Sequence, residues 1–291
     1  MNELWSLVAL YQFTILAGIV TALALAWTGT YLATQARAAQ TLCVSQGASL
    51  GVLMGMQAVC TFQGDEALVS SPYPALTGLF TAALIFGALD HFTRKAPVRN
   101  VVYIAFFSFL WALSPLLAGL FPRIDDHLTQ VYFGDLVTLS ESNTWLALAI
   151  ASAQLFLLTR IRTPLTKLSF DIALTGSHVY PARAQGRNPQ LIAFQLLTLI
   201  LICFSVQFLG LLFTLGGLFL PTVILSRPAR AGVVRHTVLS VVTAGLGASA
   251  GFVLSLLSGK LPTVPTVIVA MSGVGFLVRL LFLRAPLKGL Q

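Results

Sequence analysis

Nine stretches of this chain are continuously apolar over the length of a membrane-crossing helix, and that limits its fold more than any other feature. They lie near 11–34, 43–62, 74–92, 101–121, 144–160, 190–209, 211–226, 236–258 and 264–283. About 20 apolar residues in helical form cross a hydrocarbon core of about 30 Å. Inside lipid the backbone must satisfy its own hydrogen bonds, which leaves helices or a closed barrel. A barrel would alternate apolar and polar residues over segments of about ten residues, whereas these stretches are unbroken. Only 9% of the 291 residues are charged, against about 25% in a soluble domain. The expected fold is all-α: a polytopic membrane protein of eight or nine transmembrane helices, forming one domain over residues 1–291. A further segment near 128–139 reads as a short surface or re-entrant helix.

The charges fix a topology. A net charge of +8 would suggest nucleic acid in a soluble protein, but here it follows from the gathering of Lys and Arg in cytoplasmic loops. With the N-terminus outside, Arg37, Arg94, Lys95, Arg99, Arg160, Arg162, Lys167, Arg183, Arg187, Arg227, Arg230, Arg235, Arg279, Arg284 and Lys288 all fall inside. Of the 17 basic residues only Arg123 and Lys260 fall outside, together with Glu3, Asp65, Glu66, Asp125, Asp126, Asp135 and Glu141. The expected arrangement is N-terminus out, C-terminus cytoplasmic and an odd number of passes. Merging 190–209 with 211–226 would spoil the alternation, so they read as two spans. Met1-Asn2-Glu3 offers no basic leader, so the first apolar stretch is expected to remain as a helix. Cys43, Cys60 and Cys203 lack metal-site spacing and do not suggest a disulfide framework.

The longest inner connection, about 161–189, is too apolar in its first half for a loose linker. Leu165, Leu168, Ile172 and Leu174 give a partly amphipathic pattern, and Gly176 fits a helix stop. A short helix on the cytoplasmic face is expected. Polar residues elsewhere are sparse. Asp125, Asp126 and His127 lie together in an outer loop and have the chemistry to bind a divalent cation or contact a partner, although a solvated loop is the preferred reading, since three adjacent residues seldom converge on one ion. Asp135 beside Gly134 reads as an outer-surface acid or a capping turn. Asp90 and His91 end the third span beside Arg94 and Lys95, where ordinary ion pairing suffices. Gln46, Gln154, Gln195 and Gln207 suit hydrogen bonds between helices. Gly210, Gly216, Gly217, Gly245, Gly247 and Gly251 suit close helix packing. His91, His127, His178 and His236 all fall in loops or at span ends, against an intramembrane enzyme. Spans nearly free of charge, without matching halves, argue against a secondary transporter.

Four stretches resemble the permease subunit of the ABC-type zinc and manganese uptake systems. They are Tyr132-Phe133-Gly134-Asp135-Leu136; Leu168-Ser169-Phe170-Asp171 with Ala173 and Gly176; the glycine-rich run from Gly210 through Gly217 to Leu220-Pro221; and Leu261-Pro262-Thr263-Val264-Pro265-Thr266. Their order and spacing together carry the likeness. It implies the ABC metal-importer permease fold in the inner (cytoplasmic) membrane. It also implies a second permease copy (homodimer or heterodimer), a cytoplasmic ABC ATPase that holds the ATP, and an extracytoplasmic solute-binding protein. No cofactor is expected in this chain, and no P-loop pattern is present. On this likeness the segment about 163–180 couples to the ATPase through Leu168, Phe170, Asp171, Ala173 and Gly176.

The chain departs from the family at one point. Where relatives carry Gly-Asp-Ala-x-Ser-His in the second helix, this sequence reads Thr41-Leu42-Cys43-Val44-Ser45-Gln46. The acid position is Leu42 and the imidazole position Gln46. Leucine ligates nothing, and a neutral amide is a poor transition-metal ligand beside imidazole. Ser45 and Gln46 are the expected path residues. The expected function is a permease of an ATP-driven importer of zinc, manganese or a metal complex. The alternatives are a secondary transporter and a metal-chelate or iron importer with a degenerate metal site.

Overall fold

The computed structural model describes residues 2–35, 37–63, 71–93, 99–134, 140–175, 189–226, 232–258 and 261–283. Among them are nine helices: α1 (Asn2–Thr34), α2 (Ala38–Gln63), α3 (Tyr73–Thr93), α4 (Arg99–Leu120), α5 (Pro122–Phe133), α6 (Glu141–Thr175), α7 (Pro189–Ile224), α8 (Val233–Ser258) and α9 (Thr263–Leu283). Seven are long and apolar enough to cross a membrane, and Tyr73–Leu89 of α3 is a shorter apolar helix. The all-helical expectation therefore holds.

α7 is two spans. Its 36 residues would extend roughly 54 Å as one rod, far beyond a core of about 30 Å. Gly210 breaks it with φ 84° and ψ 161°, a conformation open only to glycine. The Thr214 hydroxyl then donates to Ser205 Oγ at 2.9 Å, although nine residues of straight helix would hold these groups roughly 13 Å apart. The chain thus turns back on itself at Gly210, as the split between 190–209 and 211–226 anticipates.

α5 is the expected short helix, shifted from near 128–139 to Pro122–Phe133. Pro122 opens it, where a missing N–H costs nothing. It stops at Gly134, whose φ is 73°. α5 runs antiparallel to α2, because His127 meets Cys60 while Tyr132 meets Gln46. Its final glycine lies against the α7 turn: a Cβ on Gly134 would overlap the backbone of Leu209, and one on Gly210 would sit 2.7 Å from Gly134 Cα. Two positive-φ glycines therefore cross with no side chain between them.

α6 corrects an expectation. A span near 144–160 followed by a separate cytoplasmic helix is one uninterrupted helix, Glu141–Thr175, with Pro164 inside it. Proline removes its own N–H bond and crowds the carbonyl four residues back, but the residues beyond it are held by α1. Tyr31 Oη lies 3.4 Å from Thr166 Oγ1, and Thr34 Oγ1 lies 3.0 Å from Ser169 Oγ. Leu165 is fully buried there.

Lipid offers no hydrophobic drive between helices, so close packing and interhelical hydrogen bonds hold the bundle. Along the α2–α3 seam a Cβ on Gly51 would lie 2.7 Å from Thr77 O and 2.8 Å from Gly78 Cα. Thr77 Oγ1 donates to Gly51 O at 2.8 Å across that approach. Gln154 Nε2, fully buried, donates to Thr28 Oγ1 at 2.9 Å and Thr198 Oγ1 at 3.2 Å, joining α6 to α1 and α7. The exposed faces of α4 and α9 carry large apolar side chains, among them Phe109, Leu116, Phe276 and Leu281.

The contacts sort the helix ends into two groups. Thr34, Thr166, Ser169, Thr222, Ile224, His236 and Arg279 meet at one end. Cys60, Ser71, His127, Gln207 and Gly210 meet at the other. The described basic side chains, including Arg162, Lys167, Arg235 and Arg279, belong to the first group.

Candidate functional site

Ser45 and Gln46 lie in the first third of α2, and both are fully buried. An amide in such a place must find partners, because an unsatisfied polar group in a membrane bundle is costly. Gln46 Nε2 donates to Tyr132 Oη at 2.6 Å and to Ser114 Oγ at 3.3 Å. Ser114 Oγ donates in turn to Leu110 O at 3.2 Å. The rings of Trp111 and Tyr132 stand edge-on with centroids 5.5 Å apart. One glutamine thus joins α2, α4 and α5. Two acceptors remain without hydrogen-bond partners, Gln46 Oε1 and Ser45 Oγ.

The chemistry of this cluster is neutral. Leu42, one helical turn before Gln46, is half-buried and offers no donor atom. Among the described residues no group of three or more His, Cys, Asp or Glu side chains gathers in one place. The cluster can accept hydrogen bonds from a hydrated or ligand-wrapped solute, but it has no charge with which to strip water from a cation.

A cavity of about 190 Å³ lies nearer the start of α2, between α1, α2, α3 and α7. Arg37, Gln40, Thr41 and Gln195 supply its polar wall, and Phe86 and Ile202 belong to its apolar one. Gln195 therefore lines a cavity, whereas Gln46 and Gln154 bridge helices and Gln207 ties α7 to the segment before α3. No residue pattern foretells this cavity, because its walls come from four helices that only the tertiary fold brings together.

The expected coupling residues sit on the end of α6. Ser169 is buried against α1, and Leu168 is half-buried against the main core. Phe170 is 53% exposed, and Lys167 and Asp171 are exposed beside it. Ala173 lies in the helix but its side chain is outside the described residues, as is all of Gly176. The described part is a firmly backed helix presenting an aromatic ring and two charges.

At the opposite end, His127 is half-buried on α5 with Nε2 3.6 Å from Cys60 Sγ. Asp125 and Asp126 lie in the same helix, with side chains outside the described residues; Asp135 falls outside them entirely. His91 is exposed at the end of α3, and the Asp90 side chain is not described. Cys60 escapes sequence reasoning, since 67 residues separate it from His127.

Comparison with known proteins adds two findings. A family model described as the ABC 3 transport family matches residues 8–282. Among solved structures, a chain of PsaBC from Streptococcus pneumoniae in complex with Fab superposes with a TM-score of 0.71 at 14% identity, over 96% of this chain and 95% of that one. That likeness is one of fold. No curated protein matches the sequence.

Proposed function

Because the chain belongs to the ABC 3 transport family, we propose that it is the permease subunit of an ATP-driven importer that carries a divalent transition metal, zinc or manganese, or a complex of one. The match over residues 8–282 carries this reading and sets aside the secondary transporter and the intramembrane enzyme. The metal cargo rests on the resemblance of the sequence motifs. In the proposed orientation the end bearing Arg162, Lys167 and Arg279 is cytoplasmic, since cationic side chains remain on that side.

The mechanism follows from rigidity. A separate ATPase closes on ATP beneath the permease, and its motion must reach the membrane-spanning helices through a stiff element. α6 extends roughly 52 Å, longer than the hydrocarbon core, and its far end is tied to α1 through Ser169 and Thr166. A push on Phe170 and Asp171 therefore displaces α6 and α1 together. α1 packs on α7 through Leu25 and Gly217, so the displacement reaches the hairpin and, through Gly210, the α5 helix that holds Tyr132 against Gln46. The apolar outward faces of α4 and α9 suit lipid or a second permease copy, and a solute-binding protein would dock at the opposite end.

A specific observation favours a metal complex over a bare ion as the cargo at Gln46: the cluster offers neutral acceptors, and Leu42 offers nothing. The test is reconstitution of the permease with its ATPase and solute-binding protein in liposomes. ATP-dependent accumulation of zinc, manganese or their chelates is expected. Asp171→Lys should cut uptake by more than tenfold while the protein still inserts, by placing a repulsive charge at the ATPase seat. Full uptake by that variant would remove the coupling role from α6.

A further inference from the structure

We propose that Cys60 and His127 form a two-ligand docking post for a zinc-like transition-metal ion, where cargo meets the permease before reaching Gln46. The proposal rests on the transporter reading for its role, but the site stands on its own geometry. Cys60 Sγ and His127 Nε2 are 3.6 Å apart across α2 and α5. A tetrahedral ion with a sulfur bond of about 2.3 Å and an imidazole bond of about 2.0–2.1 Å holds its two ligand atoms about 3.5–3.6 Å apart. The pair is already set at that bite, so binding requires little rearrangement.

The donor types agree with the spacing. Thiolate and imidazole select zinc-like ions and disfavour magnesium and calcium, which take oxygen ligands. The two residues also differ in access: Cys60 is 3% exposed, backed by the bundle, while His127 is half-buried. With the imidazole proton on Nδ1, the empty pair is joined by the thiol donating to Nε2. A metal ion then takes the same lone pair, and the thiol proton leaves to water as the metal–sulfur bond forms.

Position gives the pair a role. His127 and Tyr132 lie on the same short helix, five residues or roughly 7.5 Å apart along its axis. Tyr132 holds Gln46. α5 therefore connects a soft-ligand post near the end of α2 with the neutral cluster deeper along it. Leu42 and Gln46 supply no soft ligand, so selection for a transition metal must come from other donors, and this pair has the required bite. Two protein ligands leave the remaining coordination positions to water or to a carrier. That keeps binding weak enough for onward release, which conduction through successive sites demands.

The test uses the full chain in detergent micelles, without ATPase or transport, and Co(II) as the probe. Wild type is expected to show a thiolate-to-cobalt charge-transfer band titrating to one ion per chain, displaced by zinc and not by magnesium. Losing an outer-shell partner already weakens metal affinity about 10–100-fold, so Cys60→Ser should abolish the band and His127→Ala should weaken Co(II) binding at least tenfold. A Cys43→Ser, Cys203→Ser double variant should retain the band. His127→Gln, closer in size, guards against misfolding, as does the melting temperature without metal: zinc should raise it in wild type and not in Cys60→Ser. Absence of the band in wild type, its survival in Cys60→Ser, or unchanged affinity in both His127 variants would overturn the proposal. Because the assay contains no transport step, such a result leaves the importer reading to stand or fall on liposome uptake.

Discussion

Gln46 shows how much of the bundle one buried amide can hold together. Its amide forms a three-helix junction through Tyr132 and Ser114, and each such bond in a membrane bundle contributes about 1 kcal/mol or less. Tyr132→Phe should therefore lower the unfolding free energy by no more than about that amount, read by denaturation in mixed micelles. The pair Leu42→Asp with Gln46→His should raise metal affinity measured by isothermal titration if α2 lines the cargo route; unchanged affinity would place the route elsewhere. Gly210 makes a sharper demand. A side chain in this positive-φ, extended-ψ conformation costs about 1–3 kcal/mol, and the backbone of Gly134 leaves no room for it. Gly210→Ala should destabilise by more than that strain alone, while Gly119→Ala, where a Cβ meets nothing within 4 Å, should be neutral or slightly stabilising. Equal effects of the two changes would contradict the crossing of the two glycines. The sequence marks Gln46 and Gly210 as unusual because a polar group and a glycine stand out in apolar helices. It is silent on Tyr132 and Ser114 as partners, since no local pattern predicts which helices meet.

At the scale of elements, hydropathy and charge locate the spans well, because both are local properties of the chain. The two arms of α7 separate where loop charge requires it, and α5 appears as a short helix outside the main set of spans. The α6 extension is what local reading misses. Pro164 and the apolar-to-basic change near 160–167 suggest a break, but helix continuity is decided by contacts with α1, 135 residues earlier in sequence for both Thr34–Ser169 and Tyr31–Thr166. Since Pro164 sits inside a continuous helix held from outside, Pro164→Ala should stabilise the fold by up to about 3 kcal/mol. A lower melting temperature in that variant would mean that the proline ring itself is needed for packing.

For the whole molecule, the distribution of basic residues makes an orientation testable. A Phe170→Cys variant in a background where Cys43, Cys60 and Cys203 are replaced should react with an impermeant maleimide only from the cytoplasmic side. Labelling from outside would remove the surface an ATPase needs and, with it, the transport mechanism. The family is legible in sequence because its motifs keep their order, whereas the Cys60–His127 pair is not, because it joins residues that only the tertiary fold makes neighbours. The glycine crossing between α5 and α7 has one further consequence. Side-chain interfaces can absorb a slipped residue by choosing new rotamers, but bare backbone against bare backbone cannot. Sliding either helix by a single position would bring Phe133 or Leu209 into a gap that admits only hydrogen atoms. Insertions and deletions in descendants of this chain should therefore collect before Pro122 or between α6 and α7, and leave the residue count from α5 to its terminal glycine untouched.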